Sequence, residues 1–192
     1  MKLVAACLLL LATSAGAATW VVDATGGGQF TSIQAAIDAA APGDVLLVKS
    51  GTYAAFTLGK DLTILGPALG APPNVVGESQ LLMDNAEVAA LKFSTLEVLD
   101  ASGVVLLDDI EVTGNHSGIP ACDGMRIERC AQVHIGRSLI HGKDGDFFCE
   151  SMGLVVVDST VTLTGCTVVG ETGWRVGFIG YHSREGLDLN GD

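Results

Sequence analysis

VVLLDDIEVTG (104–114), QVHIGRSLIHG (132–142) and TVTLTGCTVVG (160–170) are three versions of one phrase. Each closes on a glycine, at Gly114, Gly142 and Gly170, and both intervals are 28 residues. The same stride aligns Val105 with Val133 and Val161, Leu107 with Ile135 and Leu163, and Val112 with Ile140 and Val168. It also puts Leu99, Ile127 and Val155 in one column. Self-similarity at a fixed period is the mark of a stacked repeat.

The local pattern selects the kind of repeat. The units are rich in β-branched residues, alternate in places with period two, and break at Gly, Asp, Ser or Thr. Short strands at this spacing predict a right-handed parallel β-helix of about five coils, all-β, with aligned residues roughly 4.8 Å apart. Each apolar column then becomes an interior row, and each unit covers the backbone of the next.

One segment departs from this pattern. FTSIQAAIDAAAPGD (30–44) has Ile33, Ala36, Ile37 and Ala40 at helical spacing, and Pro42-Gly43 to stop the helix. Thr31 as N-cap with Gln34 three places on reads as a capping box. A parallel stack exposes unpaired backbone and wet apolar core at its end. An amphipathic helix over about 31–41 is therefore expected to cap the first coil, with coils over about 44–189. GPALGAPPN (66–74) reads as a Pro/Gly excursion from the stack.

GGGQFTSIQAAIDAAAPGDVLLVKSGTY (26–53), followed by LTILG (62–66), resembles the opening of the pectate-lyase-like superfamily of right-handed β-helix proteins. That superfamily includes pectin methylesterases, polysaccharide lyases, polygalacturonases and bacterial surface proteins. The resemblance implies a cap helix, a strand at DVLLVKSGTY and a first coil closing at LTILG. It implies the fold and not the chemistry, because this opening occurs in catalytic and non-catalytic members alike.

MKLVAACLLLLATSAGA (1–17) has Lys2 as n-region, a short apolar h-region and Ala15-Gly16-Ala17 as cleavage site, a secretory signal peptide. Its apolar run falls short of the roughly 20 residues of a membrane span. A single β-helix domain over 18–192 would remain, secreted to the extracellular space, periplasm or cell envelope. Against 22 Asp+Glu the chain has 10 Lys+Arg, one of them in the leader. That acidity argues against nucleic acid and anionic membranes as partners. Cys122, Cys130, Cys149 and Cys166 follow the leader without a CxxC pair, so zinc is not indicated, and the reading requires no cofactor.

After each closing glycine comes a variable stretch: NHSGIPACDG (115–124), KDGDFFCESMG (143–153) and ETGWRVGFIGY (171–181). The period places these as loops on one corner of successive coils, where function concentrates. They bring His116, Asp123, Lys143, Asp144, Asp146, Glu150, Glu171, Trp174 and Arg175 toward one another. A tryptophan covers the apolar face of a sugar, while carboxylates take its hydroxyls or calcium. Cys122 lies eight places after Gly114 and Cys149 seven after Gly142, a placement that predicts a disulfide between neighbouring loops. Cys166 shares the column of Ser138 and Ile110 as a small buried residue, Cys130 sits at a turn, and Asp109 stacks on Arg137.

Enzymes of the superfamily provide templates that the chain meets only in part. GKDGDFFCE (142–150) echoes the turn carrying the pectin methylesterase nucleophile, with Asp146 in that role and Arg175 downstream, but no Gln-Asp pair supplies the acid. Asp108-Asp109 lacks the Gly-His-Gly and Arg-Ile-Lys of a polygalacturonase. A calcium-assisted lyase would need Asp144, Asp146 and Glu150 with Arg175 or Lys143 as base. The sequence therefore favours a non-catalytic polysaccharide-binding or structural module, with a pectate lyase or pectin esterase as the alternative. The closing DLNGD (188–192) reads as a polar tail or as a chain that continues, and an end without a cap leaves end-to-end self-association open.

Overall fold

A computed structural model describes residues 16–114, 123–142, 152–170 and 188–190; most of the expected leader lies outside them. The opening elements are β1 (Thr19–Val22), α1 (Ile33–Ala39), β2 (Val45–Val48), β3 (Thr52–Ala54), β4 (Thr57–Leu58) and β5 (Thr63–Leu65). Then come β6 (Asn74–Leu81), β7 (Ala86–Ala89), β8 (Lys92–Leu99), β9 (Val104–Asp108), β10 (Glu111–Val112) and β11 (Met125–Glu128). The last are β12 (Gln132–Gly136), β13 (Leu139–His141), β14 (Leu154–Val157), β15 (Val161–Thr164), β16 (Thr167–Val169) and β17 (Asp188–Asn190).

Every pairing between these strands is parallel. One sheet runs β1-β2-β5-β7-β9-β12-β15-β17 in chain order. The other contains β3, β4, β6, β8, β10, β11, β13, β14 and β16. β1 is joined to β2 through α1; from β2 to β15 the chain crosses to the second sheet after each strand of the first and returns one strand further on. The all-β, parallel architecture expected from the repeat is thus present.

The interior rows follow the expected columns. Val133 pairs with Val105 and Val161, and Ile135 with Leu107 and Leu163. Ile140 pairs with Val112 and Val168. The row through Leu107 continues back through Val88 and Ile64 to Leu46, all buried. Each such side chain contributes on the order of 1.5–3 kcal/mol by leaving water. Facing it across the core is the row of Val75, Phe93, Val112 and Ile140.

One column is corrected. Ile127 pairs with Val98 and Val156, a stride of 29 residues, and not with Leu99 and Val155. The cause is a compensation around the circuit. Asp100 precedes Val105 by five residues, Arg129 precedes Val133 by four, and Asp158 precedes Val161 by three. The turn into the first sheet shortens by one residue per circuit and offsets the extra residue gained before β11 and β14.

The turns share a backbone device. Ala90, Asp109 and Arg137 are left-handed (φ 57, 52 and 46°), and Asp100, Arg129 and Asp158 form a second such series (φ 58, 54 and 46°). Side chains in this region cost about 1–2 kcal/mol each. The cost is offset because the turned amide reaches the neighbouring circuit: Asp109 N donates to Gly136 O at 3.0 Å and Arg137 N to Thr164 O at 2.8 Å. Next in chain, Ser138 Oγ accepts from Ile110 N at 3.2 Å and donates to Gly136 O at 2.6 Å. Ser159 Oγ does the same for Cys130 N and Val157 O.

Ile33, Ala36 and Ile37 of α1 are buried against the start of the stack, as the apolar stripe requires. The N-cap is Ser32, however, not Thr31: Ser32 is extended and its side chain accepts from Ala35 N. That frees Gln34, whose amide accepts from Thr57 N at 2.8 Å and donates to Thr57 O at 3.4 Å. Gln34 thereby satisfies an edge residue of β4 instead of closing a capping box. Asp44, also buried, accepts from Ala18 N, Ala41 N and the Trp20 indole at 2.7–2.9 Å.

Candidate functional site at the loop-bearing corner

β8 determines where the corner lies. Its residues Lys92 and Phe93 pair with β10, while Leu96–Leu99 pair with β11. β10 thus ends beside Phe93 and β11 begins beside Leu96, with Ser94 and Thr95 of β8 between the two pairings. β13 stacks on β10 and β14 on β11, so the next excursion starts from the same corner one circuit on. The expectation that successive loops share a corner rests on these flanking pairings.

Both necks are narrow. Leu96 N donates to Gly124 O at 3.2 Å, Gly124 N to Met152 O at 2.9 Å, Met125 N to Gly153 O at 2.9 Å and Gly142 N to Val169 O at 2.9 Å. A Cβ on Gly124 would meet the carbonyls of His141 and Gly153, the second at 2.8 Å. One on Gly153 would lie 2.7 Å from Val169 O. Backbone crosses backbone here, and only glycine fits.

Asp123 stands at the mouth, half-buried, and its Oδ1 accepts from Met152 N at 3.3 Å. Burial pushes its carboxyl upward, against the opposing effects of the Met152 amide and of Arg126. A carboxyl raised in this way is a better proton holder than its exposed counterparts. Thr95 Oγ1, on the stretch of β8 between the β10 and β11 pairings, is buried with no hydrogen-bond partner among the described residues. Among the described residues no group of three His, Cys, Asp or Glu side chains is placed to hold a metal.

Of the loop residues singled out from the sequence as a ligand or catalytic site, Asp123 is the one the structure describes. His116, Lys143, Asp144, Asp146, Glu150, Glu171, Trp174 and Arg175 lie outside the described residues, as do Cys122 and Cys149. Cys130 and Cys166 are free thiols. Cys130 is buried, with Sγ 3.4 Å from Val98 O, whereas Cys166 is only half-buried.

Asp109 and Arg137 occupy equivalent left-handed turns on neighbouring circuits, as their stride implies, but they do not form the ion pair. Arg137 pairs with Asp108, its Nε donating to Oδ1 at 3.2 Å and its Nη2 to Oδ2. Asp108 shares the column of Gly136 on the outer face of the first sheet, where the guanidinium folds back across the turn. A second charged ladder has no counterpart among the sequence expectations: Arg129 bridges Asp100 and Glu128, and Arg126 adds a further bond to Glu128. Its signal was present as the recurring triplets LDA (99–101), ERC (128–130) and VDS (157–159), each centred on a left-handed residue. Among the described residues no helix is long and apolar enough to cross a membrane. Comparison with models of protein families, with characterised proteins and with solved structures finds no match.

Proposed function

We propose that the chain is a secreted right-handed parallel β-helix of about five coils, related to the pectate-lyase-like superfamily, that binds polysaccharide at its loop-bearing corner without cleaving it. The observation that supports this most is the pinning of two successive excursions to one corner by the Gly124 and Gly153 necks. A rigid wall that presents neighbouring loops in register suits an extended, repeating ligand. In this reading the leader 1–17 is cleaved, and a Cys122–Cys149 disulfide joins the loops. His116, Asp123, Lys143, Asp144 and Glu150 take sugar hydroxyls beside Trp174. Calcium, where bound, would be held by the loop carboxylates, whose hard oxygens match it.

A second reading follows from the upward shift of Asp123 by burial: a proton-holding carboxyl beside Asp146 and Arg175 suits a lyase or esterase. The two separate in one assay. The mature protein is incubated with polygalacturonate and with methylated pectin, with and without calcium, while ultraviolet absorbance, released methanol and retardation in polysaccharide-containing gels are followed. Binding without turnover, weakened by Trp174→Ala, supports the module. Turnover abolished by Asp146→Ala overturns it in favour of the enzyme.

A further inference from the structure

The excursion at 66–74 leaves a groove of about 320 Å³ against the turn between the two sheets. Pro67, Ala68 and Pro72 form one wall; Asp109, Glu111 and Arg137 provide the polar groups of the other. This is a different corner from the one carrying the loops, separated from it by the short strands β10 and β13. Its size is at the low end of ligand pockets, matched to one small ring instead of an extended chain.

The groove is held in shape on both sides. The excursion is tied down by Gly66 N to Ala89 O at 2.8 Å, Ser50 Oγ to Ala71 O at 2.5 Å and Lys92 N to Pro73 O at 2.9 Å. Asp109 and Arg137 are fixed at successive left-handed turns by the amide bonds described above. Little ordering is left for a ligand to impose, which favours binding.

The polar groups differ in how far they are already used. Glu111 is engaged by Lys92 at 2.7 Å. Arg137 spends Nε and Nη2 on Asp108, which leaves Nη1 free to donate. The Asp109 side chain is exposed, and its carboxylate has no hydrogen bond or ion pair among the described residues. One free acceptor and one free donor on a rigid edge match a pair of sugar hydroxyls, and proline C–H faces match the apolar face of a pyranose. The charges at this turn are Asp108, Asp109 and Glu111 against Lys92 and Arg137, an excess of one negative charge on a chain of net charge −12. A uronate would meet repulsion.

We infer that this groove is a saccharide subsite for a single neutral pyranose, and that it selects against uronic acids. It is separate from the loop-bearing corner, so either site can fail without the other. The test is amide chemical-shift mapping on labelled mature protein with cellohexaose and with hexagalacturonate, each raised to about 10 mM to reach weak affinities. Cellohexaose is expected to shift Ala68, Asp109, Ile110 and Glu111 with saturation, and hexagalacturonate to bind there at least about tenfold more weakly. Asp109→Asn keeps a residue that tolerates the left-handed turn while removing the charge, so it should fold and narrow that preference to within about threefold. Absence of saturable shifts at these residues with cellohexaose overturns the inference. So does equal or tighter binding of hexagalacturonate to the unsubstituted protein.

Discussion

The opening of the molecule and its later circuits build the same sheet by different means. In the first sheet Thr19 pairs with Val45, Val45 with Thr63, Thr63 with Glu87 and Glu87 with Leu106, steps of 26, 18, 24 and 19 residues. From Leu106 to His134 to Thr162 both steps are 28. The irregular half is secured by individual side chains: Asp44 gathers three donors, Gln34 closes the edge of β4, and Asp61 takes both the amide and the side chain of Asn85. The regular half relies on repeated turns, in which a left-handed residue sends its amide to the next circuit. A parallel stack therefore tolerates coils of unequal length where dedicated hydrogen bonds take up the difference, and needs few such bonds where the period holds.

The comparison breaks most visibly at the cap. Ile37→Ala removes a buried anchor from α1 and should cost about 2–5 kcal/mol. For a domain of this size that lowers Tm by roughly 2–4 °C per kcal/mol. A loss under about 1 kcal/mol would mean the helix does not seal the opening.

In the regular half the sensitive points are backbone crossings. Gly124→Ala should cost at least about 1–3 kcal/mol, because the new methyl meets carbonyl oxygens that cannot swing away. Gly59→Ala, with open space around the added Cβ, should be close to neutral by the same thermal melts. Equal behaviour of the two variants would remove the pinned neck.

Acid should find the opening half. The Thr25 hydroxyl, then Lys49, holds the Asp23 carboxyl at about 2. The Trp20 indole, then the amides of Ala18 and Ala41, holds Asp44 below its ordinary range. A depressed folded pKa means stability present above the unfolded value and lost as pH falls through the folded one. For Asp23 the window runs from about 4 down to about 2. The Tm of the parent protein should fall more steeply across that interval than that of Asp23→Asn; parallel curves would discount the Asp23 bonds.

The smallest effect is expected at the charged ladder. Arg129 is half exposed, and solvent screens its bonds to Asp100 and Glu128, so Arg129→Ala should cost less than about 1 kcal/mol by denaturant unfolding. A loss above about 2 kcal/mol would show that the regular half, too, depends on particular side chains.

The sequence disclosed the half that repeats. Val105, Val133 and Val161 could be aligned because their stride is constant, and the cap helix because an apolar stripe at helical spacing interrupts β-branched runs. A fixed 28-residue stride misplaces the partners of Ile127 by one, because the extra residue before β11 is removed again before β12. A cap read at Thr31 falls one place early because Thr31 and Ser32 are chemically equivalent neighbours, and backbone geometry chooses Ser32. The groove beneath 66–74 was invisible for a different reason, since its two walls come from segments with no common period. Of the loop-corner residues, Asp123 could be placed by its stride from Gly114, whereas its partial burial depends on neighbours the stride does not name.

The claim beneath all of this is that the chain returns to the same parallel sheet after every circuit. Cross-strand nuclear Overhauser contacts of Val133 test it directly. The account predicts contacts from Val133 to both Val105 and Val161, with Ile135 likewise between Leu107 and Leu163. Contacts confined to strands adjacent in the chain and running antiparallel would contradict it.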